Sequence, residues 1–299
     1  MRTVVLLSLL AGCESVGCWD ADGNVTPGRC ECPVDDGAAA ALVEVNAVRT
    51  AAGLPPVVRL AELDAAAEGH VAYLVQNDPD DNGRSAHDQV PGDTGFTGAD
   101  HLARAVNAGW SGPRIYENVS RRGDPEQAMF AWMRTVYHRF PMLVPEVSGM
   151  GYASVCGDAQ RFDVALFAES APIASSAPVL WPAPGDDFVP GTWDGLERPD
   201  PLPDIDGDVG FPISVQFPRG TGRVTGLELF DALGNEVPTR FIDASSDPVS
   251  QMDDEMVAIP LQPLDFEATY RVRAQGTGIS GEWTEEWSFT TRSAAQTPR

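Results

Sequence analysis

Residues 124–143 read DPEQAMFAWMRTVYHRFPML, and their spacing decides how the first half of the chain folds. Asp124 offers a capping oxygen, and Pro125 takes the first helical position, where its missing N–H costs nothing. Gln127 stands three residues after the cap, as in a capping box. Met129, Trp132, Met133 and Val136 then recur at helical spacing and form one apolar stripe. A helix with one buried face is predicted here, so neighbouring segments must cover that face.

Upstream, residues 38–53 (AAAALVEVNAVRTAAG) place Leu42, Val45 and Val48 at helical spacing and stop at Gly53 ahead of two prolines. Residues 60–77 (LAELDAAAEGHVAYLVQN) repeat the pattern through Leu63, Ala66, Ala67, Val71 and Leu74. A shorter helix is predicted over 100–109, with Asp100 as its cap and Gly109 as its stop. Downstream, residues 149–155 (GMGYASV) and 161–168 (RFDVALFA) read as two strands joined by a polar turn. Helices followed by strands indicate an α+β domain over residues 37–171.

Between Pro172 and Pro212 stand nine prolines, too many for a helix or a central strand. Residues 172–210 therefore read as a stiff linker or an extended lead-in strand. From residue 211 to 292 the pattern has period two, as in Ile213, Val215 and Phe217, then Tyr270, Val272 and Ala274, with turn signals such as Gly234-Asn235 between runs. This predicts an antiparallel β-sandwich of about seven strands. Leu264 and Tyr270 resemble the tyrosine corner of Ig-like modules.

The chain has 299 residues, 44 of them acidic and 20 basic, and every basic residue is Arg. A net charge of −24 repels phosphate backbones and excludes nucleic acid as a partner. The first residues, MRTVVLLSLLAGC, carry one Arg and an apolar run too short to span a bilayer, which reads as a signal peptide over residues 1–12. Leu10-Ala11-Gly12-Cys13 resembles the bacterial lipobox, whose Cys is acylated. That resemblance implies an exported protein, anchored through Cys13 to a membrane of the cell envelope by a tether over residues 13–36. Cys18, Cys30, Cys32 and Cys156 remain as disulfide candidates with three pairings open. Cys30 and Cys32 are too close to pair comfortably, so one of them is expected to reach Cys156.

Residues 115–120, IYENVS, place an acid and an amide in a run that otherwise prefers burial. Burial requires partners for both. Four histidines exist, His70, His87, His101 and His138. His70 reads as a packed or half-exposed helix residue and His101 as a surface residue, which leaves His87 and His138 as candidates. Residues 78–83, DPDDNG, read as a polar turn, because Gln89 stands where a calcium loop needs a bidentate Glu.

Five segments now stand in register: residues 45–74, 86–89 (AHDQ), 116–120 (YENVS), 131–143 (AWMRTVYHRFPML) and 149–154 (GMGYAS). Their order resembles the CAP superfamily, the SCP-like domain of cysteine-rich secretory proteins, in its secreted bacterial branch. The resemblance implies a three-layer α-β-α sandwich with a cleft where two His and up to two Glu converge, able to hold a divalent metal such as zinc. Carried over, His87 and His138 match the family histidines and Glu117 the acid, with Tyr116, Asn118 and Trp132 as structural support. Tyr116 replaces the usual Gly, and Thr135 stands where a second Glu would. The trio either forms a metal or polar-ligand site, or hydrogen-bonds the loop to hold its shape. The function implied is binding of a lipid, sterol-like or envelope ligand. A metal-dependent hydrolase with Glu117 as general base and a non-catalytic adhesion protein are the alternatives.

Overall fold

The computed structural model describes residues 18–19, 25–26, 36–156, 160–170 and 175–293. The signal peptide, the acylation site at Cys13, Cys30 and Cys32, and most of the tether lie outside the described residues. Cys18 is seen only within a minimal pairing of β1 (Cys18–Trp19) with β2 (Val25–Thr26).

Helix α1 (Gly37–Ala51) starts at Asp36, whose carboxylate accepts from the N–H groups of Ala38 and Ala39. Strand β3 (Val58–Arg59), α2 (Ala61–Gln76), the single turn α3 (Pro79–Asn82) and α4 (His101–Asn107) follow. Then come β4 (Arg114–Ser120), α5 (Pro125–Arg134), α6 (Phe140–Leu143), β5 (Val147–Cys156) and β6 (Arg161–Glu169). The predicted caps form. Asp100 accepts from Ala103 N–H at 2.7 Å and Asp124 from Gln127 N–H at 3.0 Å. Helix α5 ends at Arg134, so Val136 leaves the stripe and packs elsewhere. The acidic run at 78–83 is spent on a cap, with Asp78 holding α3, and on ion pairs from Arg121 to Asp78 and Asp80.

The four strands are ordered β3-β5-β6-β4, parallel only between β3 and β5. Both faces are covered. Ala165 and Phe167 of β6 pack with Val45 of α1 and Met129, Trp132 and Met133 of α5. Val164, Leu166 and Ala168 pack with Leu63, Ala67 and Leu74 of α2 and Ala105 of α4. Alternate residues of one strand thus feed two cores, which is why RFDVALFA lacks a polar face. This is the predicted three-layer α-β-α arrangement. Gly151 of β5 explains one detail of its motif. A Cβ there would lie 2.2 Å from the Leu63 carbonyl carbon, so only glycine lets α2 lie this close to the sheet.

The rest is β-rich. Strands β7 (Val179–Trp181), β8 (Thr192–Trp193), β9 (Val209–Gly210), β10 (Ile213–Gln216), β11 (Gly222–Phe230), β12 (Thr239–Asp243), β13 (Glu255–Pro260), β14 (Thr269–Gly278) and β15 (Gly281–Thr290) form two main sheets. Their orders are β12-β13-β10-β7 and β11-β14-β15, with β8-β9 as a separate pair. Ile213 and Val215 from one sheet meet Leu227, Val272 and Phe289 from the other in a common core. Asp265 N–H donates to the Tyr270 hydroxyl at 2.9 Å, the corner read from the sequence. Strand β7 comes from the Pro-rich region and occupies a sheet edge, where a missing N–H is tolerated.

The Pro-rich region is not a free connector. Val136, Tyr137 and Phe140 share a core with Trp193, Leu202 and Val209 of that region and Ile242 and Val257 of the sheet. Arg139, wholly buried, donates from Nη1 to the Pro212 carbonyl at 2.7 Å and lies over the Phe211 ring. The loop after α5 is therefore a joint between the two regions.

Candidate functional site

Glu117 and Asn118 are neighbours on β4, and the pleat sends them to opposite faces. Glu117 points toward α2 and α4, where its side chain is 1 % exposed. Its Oε1 lies 3.0 Å from His87 Nδ1 and its Oε2 accepts from Arg104 Nη2 at 2.6 Å. Arg104, buried on α4, also donates to the His87 carbonyl at 3.0 Å. Burial alone would raise the Glu117 pKa. The His87 hydrogen bond and the positive charges around it, Arg104 among them, outweigh burial and bring it down to about 2.

His70, inside α2, completes this cluster. Its Nε2 lies 2.9 Å from the Ala86 carbonyl and 3.8 Å from Glu117 Oε1. The Gln89 amide nitrogen lies 3.0 Å from His70 Nδ1, and Gln89 Oε1 accepts from Thr97 N–H at 2.6 Å. With the amide so oriented, Nδ1 is an acceptor and the proton sits on Nε2. His70 is therefore neutral, and burial lowers its pKa from 6.5 to about 4. His101, read from the sequence as a surface residue, is half-buried beside this group. Burial, and more weakly the Arg104 charge, lowers its pKa.

A stability prediction follows from His70. Between pH 6.5 and pH 4 the unfolded chain takes up a proton here and the folded chain does not. The contribution is complete above pH 6.5 and fades as pH falls through that window, about 3 kcal/mol in all. Urea unfolding at pH 7.5 and 4.5 is expected to show wild type losing roughly 2 kcal/mol more than His70→Gln. Equal losses would remove His70 from the account.

The other face of β4 does something different. Asn118 Nδ2 donates to the His138 carbonyl at 2.7 Å, and Asn118 is 1 % exposed. The Tyr116 hydroxyl bonds Glu169 and accepts from Arg219 Nη2 at 2.9 Å, tying β4 to the β-rich region. Trp132 packs in the core between α1, α5 and the sheet.

His138 does not join Glu117. Its Nδ1 lies 2.7 Å from Glu197 Oε1, and the N–H groups of Val136, Tyr137 and His138 donate to the same carboxylate at 2.6, 2.8 and 3.0 Å. Glu197 comes from the Pro-rich region, in the stretch DGLERPDP, and carries no recognisable signal in the sequence. Only the docking of that region onto the loop after α5 reveals it.

The expected metal trio comes together only in part. His87 and Glu117 meet, but among the described residues no hydrogen bond or ion pair links His138 to either. No group of three or more His, Cys, Asp and Glu among those residues is placed to hold a metal ion. The donor chemistry explains why zinc does not fit. Glu117 is neutralised by a guanidinium that would repel a cation, and the His138 imidazole is already held by Glu197. Glu117 is also unsuited to act as a general base, since its proton affinity is spent on Arg104 and His87.

A concave site lies elsewhere. A pocket of about 220 Å³ opens between α1, α5 and residues 181–190 and 211. Val48, Met129, Phe130, Met133, Trp181 and Phe211 supply its apolar walls. No sequence pattern marked it, because its walls come from segments far apart in the chain.

Residues 42–168 match the model of the cysteine-rich secretory protein family, CAP. No curated protein matches the chain. Among solved structures, an extracellular protein containing an SCP domain from Bacillus anthracis str. Ames is 18% identical over 45% of this chain and 40% of that one, with a TM-score of 0.35. An outer surface protein from Borrelia burgdorferi is 15% identical over 42% of this chain and 86% of that one, at 0.34. A cysteine-rich secretory protein from Staphylococcus aureus subsp. aureus Mu50 is 18% identical over 49% of this chain and 44% of that one, at 0.33. The chain thus spans less than half the length of the first and third of these.

Proposed function

Residues 42–168 match the model of the cysteine-rich secretory protein (CAP) family, and on that premise we propose that this is an exported bacterial envelope protein that binds an apolar ligand without catalysis. The observation that carries the reading is the pocket between α1, α5 and the β-rich region. Its walls are mostly aliphatic, aromatic and thioether side chains, the lining typical of small-molecule sites. The metal-dependent hydrolase reading has no such support, because Glu117 is committed to Arg104 and His87.

Trp181 stands in the pocket wall and gives a direct readout. Titration with octyl glucoside below its micelle concentration is expected to change tryptophan fluorescence saturably in the full chain. Val48→Trp, which places bulk at the pocket wall, is expected to weaken binding at least tenfold. If neither octyl glucoside nor any other octyl compound binds saturably, the binding reading fails and surface adhesion takes its place.

Export and anchoring at Cys13 belong to the same proposal and are supported by the apolar run and the Leu-Ala-Gly-Cys sequence that ends it. Labelled palmitate is expected to enter the wild-type protein and not Cys13→Ala; label in both, or in neither, removes the anchor. A disulfide from Cys156 to Cys30 or Cys32 is part of the proposal. It is supported by the even number of cysteines left beside Cys13 and by Cys30 and Cys32 standing too close to pair with each other, and a tryptic map without reduction identifies the partner.

A further inference from the structure

We infer that the ligand of the pocket carries a cationic head group, an alkylammonium or a related amphiphilic amine. The inference rests on the reading of that pocket as the ligand site. Glu44 of α1, Glu126 of α5 and Asp186 of the β-rich region all border it. Among the described residues, neither Glu44 nor Glu126 has an ion-pair or hydrogen-bond partner for its carboxylate. Burial, and after it repulsion from Glu126 and Asp124, raises the Glu44 pKa. Unneutralised carboxylates beside an apolar wall are a standing electrostatic cost, and a bound cation relieves it.

The one cation in the lining is Arg134, and its hydrogen bond goes to the β-rich region. Its Nη2 donates to the Thr192 carbonyl at 3.2 Å, and the acids that act on its charge are Asp194 and Asp208, opposed by Arg292 and Arg122.

One of the aromatic walls points the same way. Phe130, Phe188 and Phe211 each already stack with a guanidinium, at 5.5, 5.6 and 4.8 Å from the ring centroid. Trp181 has no such partner among the described residues and is the strongest cation acceptor of the ring types present. Over longer range, a chain of net charge −24 without a single Lys favours approach of a cation and opposes that of a fatty-acid carboxylate. The apolar walls would take the tail and the acids the head.

Three probes of equal chain length test this: octyltrimethylammonium, octyl glucoside and octanoate, titrated into the full chain by calorimetry and Trp fluorescence at low and high salt. The expected order is cation tighter than neutral by tenfold or more, with octanoate weakest. Added salt should close the gap between cation and neutral. Glu44→Gln and Glu126→Gln, substitutions at partly or fully exposed positions, are expected to weaken the cation about tenfold together and leave octyl glucoside unchanged. Equal binding of cation and neutral probe, or tighter octanoate, overturns the cationic head while the pocket reading stands. Binding of none of the three overturns both.

Discussion

Replacing Glu197 by Ala is expected to lower the thermal midpoint by about 10 °C, a large effect for a single substitution outside the hydrophobic cores. The carboxylate is fully buried and holds four donors: three successive backbone N–H groups and the His138 imidazole. Hydrogen bonds to a charged group are worth more than neutral ones, and each buried donor left unpaired costs about 1–3 kcal/mol. Losing the one acceptor that satisfies these four donors costs ~3–5 kcal/mol in all, which for a chain of this size is about 10 °C. Glu197→Gln keeps an acceptor oxygen and should recover part of the loss. The joint between the two regions depends on the same loop, so limited proteolysis of Glu197→Ala should cut within residues 182–208 before any other site. A midpoint within 2 °C of wild type would show that the loop holds its shape without the carboxylate.

Glu117→Gln is expected to destabilise by ~3–5 kcal/mol, because it leaves the Arg104 guanidinium without its counter-charge at a site closed to solvent. Arg104→Met should cost a similar amount for the mirror reason. The double variant Glu117→Gln/Arg104→Met, with no charge left to compensate, should be more stable than the sum of the two losses predicts, by roughly 2 kcal/mol or more. Urea unfolding at pH 7.5, above the His70 window, reads this directly. Additive losses would mean that the two groups act independently. The pair also orients His87 through Nδ1, so its ring should lose its fixed orientation in Glu117→Gln and keep it in His70→Gln, which nitrogen chemical shifts report.

Much of the fold was legible in the sequence because it depends on near neighbours. The caps at Asp100 and Asp124, the stripe through Met129, Trp132 and Met133, and strands β5 and β6 all come from spacings of two to four residues. The tyrosine corner at Tyr270 reaches back only five residues. His87 meeting Glu117 was legible only through the resemblance to CAP domains, since nothing in the spacing joins residues 30 apart.

What failed did so for two physical reasons. Adjacent residues on a strand face opposite ways, so Glu117 went to the α2 face with His70 and Arg104, while Asn118 went to the other and took hold of the His138 backbone. A charged group also pairs with whatever packing brings to it. His138 received Glu197 from a Pro-rich stretch that, read alone, shows a linker or a lead-in strand and gives no sign of this contact.

The sequence by itself determined the helices and strands, their caps, the charge of the surface and the α+β then all-β order, because each of these is set by contacts a few residues long. Tertiary structure alone decided which carboxylate each histidine meets and where the chain leaves an apolar hollow. Those outcomes depend on segments 59 residues apart at His138 and Glu197, and further apart around the pocket. Their relative placement is fixed only when two cores close on a common joint.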